Sequence, residues 1–170
     1  MKTRLLISTF VIAFVSISTT TYSQATATAT ASATVITPIS ISKNSDMNFG
    51  YIAVQSGTGG TVVLAPAGTR TGTSGVSLPT SAGTVSAASF TVTGSGTSSY
   101  AITLPTTVTL THSAGTETMA ASSFTSNPSS TGTLSSGTQN IAVGATLTVA
   151  AAQLAGTYTS GNFNVTVNYN

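Results

Sequence analysis

Tyr100-Ala101-Ile102-Thr103-Leu104-Pro105-Thr106-Thr107-Val108-Thr109-Leu110-Thr111 decides the fold class. Two runs of alternating apolar and small polar residues lie on either side of one proline. A period of two marks a strand with one buried and one wetted face. Threonine is β-branched and suits the wetted face of a pleated sheet. The same alternation recurs upstream at Phe90 and Val92, and downstream at Leu147 and Val149 and at Phe163, Val165, Val167 and Tyr169. Turn residues separate these runs, among them Gly57-Thr58-Gly59-Gly60, Gly94-Ser95-Gly96 and Asn127-Pro128. Gly94-Ser95-Gly96 reads as a hairpin turn.

No stretch shows apolar spacings of three and four over several turns. Ala150-Ala151-Ala152-Gln153-Leu154 is the best helix candidate, and Gly156 stops it. No repeat of 20–50 residues runs through the chain, which argues against a solenoid. Eight to ten short strands with frequent turns predict an all-β fold, an antiparallel immunoglobulin-like β-sandwich with an extended N-terminal strand. Its expected core is Phe49, Val62, Leu64, Phe90, Val92, Tyr100, Ile102, Leu104, Leu110, Phe124, Leu147, Val149, Phe163, Val165 and Val167.

The ends and the charges narrow the function. Lys2 and Arg4 precede an apolar run, Leu5 to Ile17, and small polar residues follow. This is the order of a secretory signal peptide, assigned to residues 1–23 with cleavage before Gln24. The run is short for a membrane span of roughly 20 residues. The reading is therefore a secreted protein, extracellular or on the cell surface, with no transmembrane span once the signal is removed. Beyond residue 23, Lys43 and Arg70 balance Asp46 and Glu117. A neutral chain has no electrostatic basis for binding nucleic acid.

The inventory for catalysis is thin. There is no cysteine, and His112 is the one histidine. A hydrolytic triad would need His112 with Asp46 or Glu117, without a nucleophile elbow. Zinc needs three or four ligands, and calcium a cluster of carboxylates. The expectation is no enzyme, no cofactor and no metal. Flat threonine arrays such as Thr107, Thr109 and Thr111 raise ice or mineral binding, but ordinary strand propensity explains them. Tyr51 and Tyr158 are the residues suited to stacking on sugars.

Residues 24–42 form an Ala/Thr-rich extension ahead of a domain placed at 43–170. The odd positions from Ala25 to Ala33, then Val35, Ile39 and Ile41, make one apolar face, interrupted at Thr37-Pro38. Fully extended this face spans about 56 Å. A compact domain of the remaining length is about 36 Å across. One reading is a solvated linker. The other is a strand donated to the sheet edge of another molecule, with Val35, Ile39 and Ile41 as its plugs.

Met47-Asn48-Phe49-Gly50, Gly60-Thr61-Val62-Val63-Leu64, Leu104-Pro105, Val143-Gly144-Ala145-Thr146-Leu147, Gly156-Thr157-Tyr158 and Val165-Thr166-Val167-Asn168-Tyr169 resemble an uncharacterised family of small secreted bacterial β-domains of unknown function. More distantly the series is similar to spore-coat-U-type and chaperone–usher pilin subunits. That resemblance implies an incomplete sandwich, completed by the N-terminal extension of the next subunit. It also implies a periplasmic chaperone that first pairs with the C-terminal strand, Phe163, Val165, Val167 and penultimate Tyr169. The pilin pattern has a glycine on the same strand face as that tyrosine. Here Thr157 stands in its place and Gly156 is one position early.

The expected role is thus a structural subunit of an extracellular fibre or surface coat, self-assembling into a polymer by donation of the strand Thr34 to Ser42. The alternative is a monomeric cell-surface adhesin or carbohydrate-binding module. Pairing of Ile39 and Ile41 within their own domain would make the preceding tract a linker and favour that alternative.

Overall fold

The computed structural model describes residues 21–170. The signal-peptide assignment therefore lies almost wholly outside the described residues. Among them no helix occurs, and none is long and apolar enough to cross a membrane. Residues 21–38 are exposed and carry no strand.

The domain is built of antiparallel strands, many of them short. The first seven are β1 (Ser40–Ser45), β2 (Asn48–Phe49), β3 (Ala53–Val54), β4 (Gly60–Leu64), β5 (Arg70–Gly72), β6 (Val76–Ser77) and β7 (Val85–Ser86). Next come β8 (Ala88–Thr93), β9 (Ser99–Thr103), β10 (Thr107–His112) and β11 (Thr118–Asn127). The last are β12 (Thr131–Thr133), β13 (Thr138–Val149), β14 (Tyr158–Ser160) and β15 (Thr166–Tyr169). The main sheet runs β1-β8-β13-β11-β10-β14, with β4 also on β13 and β5 on β4. A smaller sheet runs β12-β9-β15. β2 pairs with β7 and β3 with β6 as two-stranded fragments.

β13 organises the main sheet. One edge pairs with β11 through most of its length. The other edge takes β8 along Thr138–Val143 and β4 along Ala145–Val149. A strand covered mainly on its inner face places its large apolar residues at every second position, and small residues can fill the positions between. Ile141-Ala142-Val143-Gly144-Ala145 follows this pattern, and Ile141, Val143 and Ala145 are buried.

The core has two parts. One lies between the two sheets, with Phe90, Val92, Ile141 and Val143 from the main sheet against Tyr100, Ile102 and Val167 from the smaller. This is the expected sandwich packing. The other part gathers Phe49, Val62, Leu64, Ala121, Leu147 and Val149. No strand of the smaller sheet enters that second cluster. Its inner faces pack instead against side chains of connecting segments, such as Ile52 and Leu78.

Most of the expected core is buried. Leu104, Leu110, Phe124, Phe163 and Val165 remain partly exposed, while Ala88, Ala121, Leu134, Ile141, Val143 and Ala145 are buried beyond expectation. Two local expectations are corrected. Gly94-Ser95-Gly96 does not close a hairpin but carries the chain from β8 in one sheet to β9 in the other. Ala150–Leu154 is a turn: Ala152 adopts φ 51° and donates its N–H to the Gln55 carbonyl at 3.1 Å. Tertiary hydrogen bonding outweighs the helix preference of three alanines.

Candidate functional site

The uncovered part of the core opens as a groove of 1400 Å³. Four stretches line it: β1 from Ile41 with the segment to Val54, Thr84 with Ala88 and Phe90 of β8, β10, β11 and β13, and Gln153 to Val165. Small-molecule pockets occupy about 300–1000 Å³, so this opening is large for one small ligand. Its apolar lining belongs to the core. Phe49, Ala121, Leu147 and Val149 are buried there, whereas Met47, Leu110, Met119, Phe124, Phe163 and Val165 keep partial exposure. The Phe124 and Phe163 rings meet with centroids 5.6 Å apart.

The groove takes in two edge strands of the main sheet, β1 and β14, and its lining ends at Val165, just before β15. β1 is one edge of the main sheet and pairs only with β8. β15 is the edge of the smaller sheet and pairs only with β9. The two strands are neighbours across the sandwich. Asn162 to Val165, leading into β15, carry no strand partner. An uncovered edge presents unpaired N–H and C=O groups to any incoming strand.

Each residue singled out in the sequence has a definite place. Phe163 and Val165 line the groove, and Val167 is buried in β15 opposite Ile102. Tyr169 pairs with Tyr100 on β9. Val35 is 96% exposed. Ile41 pairs with Val92 of β8, and both Ile39 and Ile41 pack on the domain's own core. Ser40 to Ser42, placed with the extension on sequence, are residues of the sheet. The interruption of the alternation at Thr37-Pro38 falls just ahead of Ser40, where the strand begins. An Asp at Ile39 or Ile41 would thus disturb the domain's own packing before it disturbed any partner.

In the sequence Arg70 counts only as a balancing charge. Its guanidinium donates to the carbonyls of Phe49 and of Tyr51, the latter at 2.8 Å. It therefore fixes a segment that lines the groove. Hydrogen bonds to a charged group are worth about 1.5–3 kcal/mol. Arg70→Met should speed amide exchange at Tyr51, whose N–H is bonded to the Ala82 carbonyl. Unchanged protection at Tyr51 would refute this role.

Elsewhere the chemistry is modest. His112 accepts from the Ala114 N–H at its Nδ1 and stacks edge-on to Tyr158. The Tyr158 hydroxyl is held by Gln153 and the Leu154 carbonyl, while Tyr51 is 64% exposed. Among the described residues no cluster of His, Asp and Glu is able to hold a metal. Lys43 and Asp46 form an exposed pair at 2.7 Å on the groove lining.

No curated protein matches the chain. No solved structure matches it either. A family model described as a domain of unknown function (DUF4402) matches residues 39–169. That match begins one residue before β1 and ends with β15, and the chain belongs to this family.

Proposed function

We propose that the protein is a structural subunit of an extracellular fibre or coat, in which residues 24–36 of one copy enter the groove of the next. The observation that carries this reading is the open groove, of mixed polar and apolar lining, that takes in the edge strands β1 and β14 and ends just before the edge strand β15. An incoming strand would pair its main chain with those edges and direct alternate side chains at Phe124, Phe163 and Val165. The occupant is argued from the chain itself. Residues 24–38 hold five alternating alanines and Val35, have no charge, and are exposed throughout. Ile39 and Ile41 pack within their own domain, which counts for a linker and for the adhesin alternative, so strand donation needs other residues to plug a groove. Val35 and the alanines before it stay free to do so.

A head-to-tail contact of this kind does not close on itself, so it gives open polymers. The test is negative-stain microscopy of the mature chain, with gels run before and after boiling. Fibres and a heat-sensitive ladder are expected. A mature chain that stays monomeric at high concentration would defeat the proposal and leave the adhesin reading, with exposed Tyr51 as its contact residue.

A further inference from the structure

The tip of Tyr169 sits in a built niche at the end of β15. Its hydroxyl accepts the Ser95 N–H at 2.7 Å and donates to the Thr37 carbonyl at 2.8 Å. The niche is rigid. Gly94 N–H bonds to the Gly137 carbonyl at 2.9 Å, and Gly137 N–H to the Gly96 carbonyl at 2.7 Å. Gly94 has no side chain, and a Cβ there would collide with the Tyr169 hydroxyl and crowd buried Leu134. One phenol thus joins three parts of the chain: the accepting edge, the arch between the sheets, and the residue from which the N-terminal tract departs. Neither Thr37, Ser95 nor Tyr169 lines the groove, whose lining in these two strands begins at Ile41 and ends at Val165.

We infer that Tyr169 is a positioning residue for assembly, a latch that holds the base of the donor tract outside its own groove and leaves the tract available to a neighbour. This rests on the strand-donation reading. The physical reason is local. A charge-free tract has only main-chain bonds and packing to hold it. The two hydroxyl bonds fix the carbonyl just before the proline, whose missing N–H leaves the segment short of other anchors. Without the latch, the tract is free to occupy its own groove, and a self-filled subunit neither donates nor grows.

The test uses the full mature chain with Tyr169→Phe, which keeps the ring and removes both bonds. Gly94→Ala is the second variant, which evicts the tip with the tyrosine intact. Each is assembled alone and then mixed in small proportion with wild type. The expected result is loss of fibres for each variant alone, with residues 24–36 newly protected from protease in the monomer. In mixtures the variants are expected to leave wild-type fibre length unchanged, because a self-filled subunit is not recruited. Fibres from both variants at the wild-type rate would overturn the latch, as would variant monomers whose tract stays protease-sensitive. If wild type itself forms no fibres, the strand-donation reading fails, and the latch with it.

Discussion

Removing residues 24–38 should leave a folded domain that forms no fibres at any concentration. Among the described residues no buried residue of the core precedes Phe49, and the first packed on the core is Ile39. The deletion therefore spares every strand. What it removes is the supply of donor side chains and main-chain hydrogen bonds. Full burial of one Val side chain is worth about 1.5–3 kcal/mol, and association gains nothing if that strand is missing. Size-exclusion chromatography should give a monomer, and urea unfolding should fall short of unassembled wild type by no more than the Tyr169–Thr37 hydrogen bond, about 1 kcal/mol. Its vacant groove should take up a synthetic peptide of residues 24–38. A truncated chain that still polymerises would place the donor elsewhere and refute the assignment.

Tyr100→Ala should give the largest loss of stability of any single substitution considered. Tyr100 is fully buried, and its hydroxyl donates to Gln139 Oε1 at 2.7 Å. Gly132 lies opposite it on β12, where a Cβ would strike the ring. The site is closely shaped and cannot readily collapse. Truncating a buried aromatic costs about 3–5 kcal/mol, and whole domains have about 5–15 kcal/mol. Urea midpoints should fall steeply. Tyr100→Phe should cost only about 1 kcal/mol, the worth of an ordinary hydrogen bond. Burial also raises the pKa of the Tyr100 phenol. A group whose folded pKa is raised contributes stability below its unfolded value near 10 and loses it as pH climbs through the folded value. Wild type should therefore weaken above about pH 10, and Tyr100→Phe should weaken less. Equal alkaline slopes for the two would contradict the burial argument.

The legible part of the fold is the part built from alternation. Phe90, Val92, Tyr100, Ile102, Leu147, Val149 and Val167 alternate with small polar residues and are buried. Ile141, Val143 and Ala145 alternate with Ala142 and Gly144 and not with polar residues, so the period is masked, and their place in the core was missed. Two-residue pairs such as β2 with β7 are too short for any period to register. The groove is a statement about absent cover, and no single segment encodes it. Phe124, Phe163 and Val165 look like ordinary core residues in sequence, and only the reach of β9, β12 and β15 decides that they are left partly open. Arg70 gave no signal because its partners are backbone carbonyls.

The late position of β13 has a kinetic consequence. β4, β8 and β11 all precede Thr138 and all pair with β13. β9 likewise waits for β15. During synthesis from the N-terminus, the main sheet has no central strand until most of the chain has emerged. Folding must then close several long loops at once, and domains dominated by such pairings fold in about milliseconds to seconds. The chain thus passes through an extended period as an unfolded, nearly uncharged polymer, in which premature strand pairing between copies competes with the native sheet.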